Sequence, residues 1–148
     1  SAVTDRLIQA IENQSFNFML VNYANADTIG HTGNYTAAIE AVKTLDRELG
    51  RILKSVLSTH AALLITSDHG NIEEVINPGT GRMETQHDPN PVPLYLVGEE
   101  FKGKKFVGSE NLQESIGMLS DVAPTVLGLM EIPKSREMTG RDLVQDVL

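Results

Sequence analysis

The sequence predicts an α/β fold, because two short apolar runs flank a long amphipathic helix. Residues 16–21 form a compact apolar run that begins with an aromatic residue, and residues 61–66 (Ala-Ala-Leu-Leu-Ile-Thr) form a second one. Between them, apolar residues recur at spacings of three and four from Tyr35 to Ser58, which is typical of a helix with one buried face. A strand, a helix of this length and a second strand indicate a right-handed βαβ unit in a mostly parallel sheet.

Local signals predict the other elements in the first half of the chain. Thr4 is the expected cap of a short helix over residues 4–13, whose apolar residues share one face. Residues 22–33 are polar and small, and they predict a loop at the C-terminal end of the first strand. A short helical turn is expected at residues 72–75, before a long loop over 77–91 that is rich in Pro, Gly, Asn and Asp.

The second half of the chain completes the prediction. Residues 92–97 predict a third strand, and residues 99–114 predict a polar surface excursion. Ser120 and Asp121 are expected to cap a helix with Pro124 in its first turn, and a short C-terminal helix follows. Three strands make a small sheet for an α/β fold, so residues 1–148 are expected to be one structural unit that is only part of a domain.

Composition excludes several classes of function. Twelve basic against twenty acidic residues give a net charge of −8, which argues against nucleic acid as a partner. There is no cysteine, so any metal must be bound by His, Asp and Glu. No apolar run approaches the roughly 20 residues of a membrane span, and the N-terminal residues do not resemble a signal peptide. We therefore expect a cytoplasmic protein without membrane contacts.

Five residues that commonly bind metal follow or precede the predicted strands. Asp27 and His31 lie four residues apart after the first strand, Asp68 and His69 are adjacent after the second, and His87 precedes the third. Ligands in open α/β sheets bind outside the carboxyl ends of strands. The last segment reaches the same edge only if the third strand runs antiparallel to the second, and we expect that orientation.

Two Asp and three His at one edge are a typical set of ligands for divalent ions, and a pair of such ions stabilises phosphoryl displacement. Asp68 and His69 diverge on an extended backbone, so each is expected to reach a different ion, or one of them to bind from the turn. Taken singly, Asp27 fits a helix cap, the Asp68–His69 pair fits a turn, and His87 fits a surface loop. Together, and beside three glycines that allow close backbone approach, they favour a metal site.

Several uncommon motifs in this sequence resemble those of one family. They are Asn-Tyr-Ala-Asn-Ala-Asp at 22–27 with Gly-His-Thr-Gly at 30–33, Thr-Ser-Asp-His-Gly-Asn at 66–71, Thr85 and His87 with Asn-Pro-Val-Pro at 90–93, Leu-Ser-Asp-Val-Ala-Pro-Thr at 119–125, and Glu-Met-Thr-Gly at 137–140. In this order they resemble cofactor-independent phosphoglycerate mutase, a member of the alkaline phosphatase superfamily. The resemblance extends from residue 8 to residue 143 and covers only the C-terminal part of the family's split phosphatase domain.

The resemblance implies an alkaline-phosphatase-like sheet with flanking helices and two divalent ions, usually Mn²⁺. It implies that Asp27, His31 and His87 bind one ion, and that Asp68 and His69 bind the second. The implied reaction interconverts 3- and 2-phosphoglycerate through a phosphoserine. The family's nucleophilic serine segment has no counterpart in this sequence, so no catalytic nucleophile is assigned and this chain alone is expected to be inactive. The full-length protein is expected to be a monomer, and the fragment to self-associate through surface meant for its missing part.

Two alternatives remain open from the sequence. One is another phosphatase or phosphodiesterase of the same superfamily, which would share the metal ligands and differ in the part that selects substrate. The other is a non-catalytic metal-binding module, which would fold as a stable monomer without an exposed apolar face.

Overall fold

The structure is a computed structural model that describes residues 1–77, 79–106 and 115–147. The chain divides into two compact units. The first comprises Ser1–Ala61 and His69–Asn90, and the second comprises Ala62–Asp68 and Pro91–Leu148. That residues 1–148 act as one domain stays a prediction.

The first unit contains three α-helices and a 3₁₀ turn. They are α1 (Ala2–Glu12), α2 (Asn25–Gly30), α3 (Tyr35–Ser58) and the 3₁₀ turn Ile72–Glu74. The predicted bounds of α3 are confirmed, and its cap is Asn34, whose side chain accepts a hydrogen bond of 3.0 Å from the Ala37 amide.

Helix α1 begins before the predicted cap residue. Ser1 is the cap, since its hydroxyl accepts from the Thr4 amide. The expectation that Thr4 caps the helix was wrong because its side chain is fully buried inside the first turn. Its hydroxyl is paired there with the Tyr23 hydroxyl at 2.9 Å, which ties α1 to the segment that leads into α2.

Helices α1 and α3 pack together around Ile11, Ile52 and Val56, which are all buried. A polar network crosses the edge of this contact. Glu48 accepts a hydrogen bond of 2.9 Å from Arg51, which also donates to Asp5 on α1 at 2.6 Å. Hydrogen bonding to the Ser1 ammonium, helped by Thr4 and by the charge of Arg51, lowers the pKa of Glu48 to about 2.

The predicted first strand is absent, and this expectation was wrong. Residues 16–21 have no regular secondary structure, and no strand among the described residues pairs with them. Their apolar side chains lie largely in solvent, with exposed fractions of 64% for Phe16, 51% for Phe18 and 85% for Leu20. An apolar run becomes a strand only where a neighbour takes up its backbone hydrogen bonds. The predicted βαβ unit is therefore not formed among the described residues.

The predicted loop over residues 22–33 contains α2, which the sequence analysis missed. Six residues are too few for a helix that is stable alone, so tertiary contacts stabilise it. It packs on α3 and on the 3₁₀ turn. The Thr28 hydroxyl donates to the Ala24 carbonyl at 2.8 Å, which adds a side-chain hydrogen bond to the first turn of the helix.

The second unit contains a two-stranded sheet. Strand β1 (Leu63–Thr66) pairs with β2 (Leu94–Val97), with Leu63 opposite Val97 and Thr66 opposite Leu94. The pairing is antiparallel, which confirms the expected orientation of the second and third predicted strands. The expectation of a mostly parallel sheet was wrong for the described residues. The strand expected to run parallel to β1 was residues 16–21, and no described strand pairs with that segment.

The rest of the second unit is built around the short helix α4 (Val122–Leu129), which Leu119–Asp121 precedes as a 3₁₀ turn. Two further 3₁₀ turns, Glu99–Phe101 and Leu143–Asp146, lie in this unit, and the last is the predicted C-terminal helix. Pro124 lies in the first turn of α4, as predicted. Part of the predicted surface excursion, residues 107–114, lies outside the described residues.

Asp121 does not cap α4 through its side chain. Its buried carboxylate instead accepts the Met118 amide at 2.8 Å and the Arg141 amide at 2.9 Å. These bonds tie the segment before α4 to the C-terminal segment. The helices of the described residues were also searched for a membrane span, and none is both long and apolar enough to be one.

Candidate metal centre

Asp27, His31 and His87 lie together in the first unit. The Asp27 Oδ1 atom is 3.2 Å from His31 Nε2 and 3.5 Å from His87 Nε2, and the two Nε2 atoms are 3.3 Å apart. Asp27 lies in α2 and His31 directly follows it, so their side chains share one face at a spacing of one turn. His87 comes from the long loop over residues 77–91. We call these three residues the metal triad.

A hydrogen bond fixes the tautomer of His31. Its Nδ1 lies 2.6 Å from the Thr85 carbonyl oxygen. A carbonyl oxygen only accepts, so Nδ1 carries the proton, and in the neutral ring Nε2 presents its lone pair. This outer hydrogen bond is the usual way in which a protein orients a histidine that binds metal.

The donor atoms of the triad fit a divalent cation. Asp27 Oδ1 is buried and accepts no hydrogen bond from the described residues, although buried carboxylate oxygens are normally paired. A point equidistant from the three donor atoms lies about 1.9 Å from each, close to the ~2.0–2.2 Å bonds of imidazole and carboxylate to a divalent ion. One carboxylate and two imidazoles also form a donor set suited to Mn, Fe, Co or Zn.

His69 lies beside the triad rather than in it. Its Nε2 is 3.8 Å from Asp27 Oδ1, and its ring stacks on that of His87 with centroids 3.5 Å apart and planes 16° from parallel. An imidazole binds a metal in the plane of its own ring, so two stacked, nearly parallel rings are poorly placed to share one ion. Asp68 belongs to the second unit. That Asp68 and His69 bind a second ion stays a prediction.

Hydrogen bonds to Gly70 and Glu74 hold the loop that carries His87. The backbone of Asp88 bridges to Gly70, with its amide donating to the Gly70 carbonyl at 3.0 Å. The Asn90 side chain donates to Glu74 at 3.1 Å. Burial raises the pKa of Asp88, and the nearby carboxylates of Glu73 and Glu74 raise it further.

These supporting residues were not predicted from the sequence, and neither was Asn71, which is buried behind α2. A signal was present, because each of them lies within five residues of a predicted ligand. Residue type alone did not distinguish them from ordinary polar loop residues.

Comparison with known proteins agrees with the chemistry of the triad. A family model described as "Metalloenzyme superfamily" matches residues 1–134. The chain belongs to the metalloenzyme superfamily. Among similar proteins of this superfamily is the 2,3-bisphosphoglycerate-independent phosphoglycerate mutase of Thermomicrobium roseum, 46% identical over 142 residues. The mutase of the same name from Cellvibrio japonicus is 45% identical over 142 residues.

This metalloenzyme-superfamily chain is shorter than those relatives. Each alignment covers 96% of this chain but 26% of the relative, so the chain spans about a quarter of the length of the curated relatives it matches. A crystal structure of Leishmania mexicana phosphoglycerate mutase, described as determined at low cobalt concentration, superposes with a TM-score of 0.79. It is 23% identical, and the match covers 99% of this chain and 28% of that one.

These findings confirm the expected resemblance and the fold class. The chain has helices and a small antiparallel sheet, and it matches part of a phosphoglycerate mutase with an alkaline-phosphatase-like fold. Membership of a metalloenzyme superfamily and the geometry of the triad support divalent metal binding. The assignment of individual ligands remains a prediction.

Proposed function

We propose that this chain is the metal-binding part of a 2,3-bisphosphoglycerate-independent phosphoglycerate mutase, a glycolytic isomerase that interconverts 3- and 2-phosphoglycerate. One observation carries the proposal. Asp27 Oδ1 is buried, accepts no hydrogen bond within the described part of the chain and faces two imidazole nitrogens at 3.2 and 3.5 Å, in a chain whose relatives bear that name.

In this proposal the triad holds one Mn²⁺ ion, while Asp68 and His69 contribute to the site of a second. Bound divalent ions polarise phosphate oxygens and lower the pKa of an attacking hydroxyl. The residues of this chain prepare that site. Asp27 supplies the negative charge, and Thr85 holds His31 with its Nε2 directed at Asp27.

The remaining parts of the reaction are assigned to sequence beyond this chain. The serine that carries the phosphate and the groups that bind phosphoglycerate belong, in this proposal, to the other three quarters of the relatives' length. The chain alone is therefore expected to be inactive. We further propose a cytoplasmic, monomeric full-length enzyme that binds neither nucleic acid nor membranes, in keeping with the net charge of −8.

The first test is Mn²⁺ binding, measured by electron paramagnetic resonance. The chain should bind one ion at the triad, and His87→Ala should lose it. The matched control is His60→Asn, which also removes an imidazole but at an exposed turn, and asparagine tolerates the left-handed backbone there (φ 56°). Equal binding by wild type and His87→Ala would overturn the triad assignment.

The second test asks for the reaction itself. The segment of the Thermomicrobium roseum mutase that aligns with this chain is replaced by this chain, and conversion of 3- to 2-phosphoglycerate is followed with enolase as the coupling enzyme. We expect an active chimera that His87→Ala inactivates and His60→Asn does not. A folded chimera that binds Mn²⁺ but hydrolyses phosphate esters instead would favour a phosphatase or phosphodiesterase.

The exposed apolar segment argues against a free-standing metal-binding module. Phe16, Phe18 and Leu20 are all more than half exposed, and a stable monomer rarely exposes neighbouring large apolar side chains. Size-exclusion chromatography with light scattering tests this point. A monodisperse monomer at high concentration would favour the module, whereas self-association would favour the proposed fragment of a larger enzyme.

A further inference from the structure

A close contact behind the metal triad joins Gly30, the last residue of α2, to Asn71. A Cβ atom built on Gly30 would lie 1.7 Å from Asn71 Oδ1 and 2.8 Å from Asn71 Cγ. Real side chains never approach so closely, so the asparagine side chain occupies the space that only a glycine leaves open. Gly30 does not have a positive φ, and backbone conformation therefore does not explain the glycine.

Asn71 is held on its other side by its backbone. Its amide donates to Glu73 Oε2 at 2.9 Å, and its carbonyl accepts from the Glu74 amide at 3.1 Å. The residue is 7% exposed, and its Nδ2 has no hydrogen-bond partner among the described residues. A buried amide with an unpaired donor costs stability. A contribution to local stability therefore does not explain why an asparagine occupies position 71.

The position of this contact connects the two segments that carry the metal ligands. Gly30 lies between Asp27 and His31, and directly precedes His31. Asn71 follows Gly70, whose carbonyl accepts from the Asp88 amide next to His87. The contact therefore sets the distance between α2 and the loop of His87, which is the distance across the triad.

Resting on the proposed function, we propose that Asn71 is a positioning residue for the metal triad and that Gly30 is the recess that receives it. A shift of α2 away from Asn71 would move Asp27 and His31 together, relative to His87. Metal ligands tolerate displacements of only a few tenths of an ångström. The Gly30–Asn71 contact is thus expected to control metal affinity by setting the position of Asp27 and His31 relative to His87.

Three variants of the 148-residue chain test this proposal by Mn²⁺ affinity. Asn71→Ala should weaken binding about tenfold to a hundredfold, the range typical of residues that orient metal ligands. Gly30→Ala should weaken it at least as much, because its methyl group collides with Asn71. The double variant should bind no more weakly than Asn71→Ala, because removal of the amide makes room for the methyl group.

Gly50→Ala is the matched control. Gly50 lies within α3, and an added Cβ there meets nothing within 4 Å. Since alanine favours a helix more than glycine does, this variant should raise the unfolding temperature and leave Mn²⁺ affinity unchanged. A purely local role for Gly30 predicts the same rise for Gly30→Ala, whereas the collision predicts a fall. Asn71→Ala should change the unfolding temperature little, which separates positioning from general stability.

A second measurement does not depend on metal. The rings of His31 and His87 lie 5.1 Å apart, so a nuclear Overhauser effect between them reports the assembled triad in the metal-free chain. It should vanish in Gly30→Ala and weaken in Asn71→Ala, and the double variant should resemble Asn71→Ala. If the wild type shows this effect but binds no Mn²⁺, the proposed metal function fails while the positioning role stands. Losses in the two single variants that simply add in the double variant, or a Gly30→Ala variant that behaves like wild type, would overturn the positioning role.

Discussion

Replacing Asp27 by asparagine should stabilise the metal-free chain and abolish its stabilisation by metal. Asp27 Oδ1 is buried and has no hydrogen-bond partner among the residues that the structure describes, and an unpaired buried polar group costs about 1–3 kcal/mol. The Asp27 side chain is 41% exposed in total, which places the expected gain near the lower limit, at about 1 kcal/mol. An asparagine Nδ2 at the Oδ1 position can also donate to His31 Nε2, which lies 3.2 Å from that position.

Metal should reverse the order of stability. A ligand at 100 times its dissociation constant stabilises a protein by about 2.7 kcal/mol. With Mn²⁺ at that concentration, the free energy of unfolding of the wild type should therefore exceed that of Asp27→Asn by about 2 kcal/mol. In EDTA, the free energy of unfolding of the wild type should be lower than that of the variant by about 1 kcal/mol. Each kcal/mol moves the melting temperature of a chain of this size by roughly 2–4 °C.

The assay is thermal unfolding followed by circular dichroism at pH 8, with either EDTA or Mn²⁺. Asp46→Asn is the control, since it makes the same chemical change at an exposed position on α3. If Asp27→Asn is less stable than wild type in EDTA by 1 kcal/mol or more, the carboxylate serves the fold, and the reasoning from its unpaired oxygen is wrong.

Three further predictions concern stability away from the metal triad. Asp121→Ala should cost roughly 3 kcal/mol in urea unfolding, because it leaves two amides without acceptors. Hydrogen bonding to the Met118 amide lowers the pKa of Asp121, so this contribution should be complete above its ordinary value of 3.8 and disappear as the pH falls below it. Glu48→Gln should lower the melting temperature above pH 4.5, and the difference from wild type should vanish as the pH approaches the folded pKa of about 2. His60→Gly should raise the free energy of unfolding by about 0.5–1 kcal/mol, since the left-handed backbone at His60 (φ 56°) costs other residues more than glycine. An unchanged or lower free energy of unfolding in chemical denaturation would contradict this prediction.

Sequence patterns predicted helices well where one face carried the apolar residues. The predicted bounds of α3 agree with the structure, because its apolar periodicity continues over 24 residues. Residues 16–21 show the opposite case. Their apolar run was as clear, but a strand depends on a partner for its backbone, and no strand of the described residues supplies one. The apolar composition of a segment therefore does not show whether a strand of the chain pairs with it.

The proximity of Asp27, His31 and His87 was predictable, whereas the residues that support them were not. These three were selected because Asp and His beside predicted strands are typical ligands of divalent ions, and the structure places their donor atoms within 4.8 Å of one another. The residue types of Asn71 and Glu74 did not distinguish them, since polar residues are common in loops. Their roles depend on contacts across the fold, which only coordinates reveal.

The separation of ligands from supporting residues also explains why the triad can assemble within the first unit. Two of the three ligands lie one helical turn apart, so a single contact behind α2 sets the position of both relative to His87. The hydrogen bond from His31 to the Thr85 carbonyl connects this ligand to the loop that carries His87 and orients the imidazole ring. Two constraints therefore fix three donor atoms, and the first unit contains both of them. We therefore predict that the first ion binds to this chain independently of the sequence beyond it.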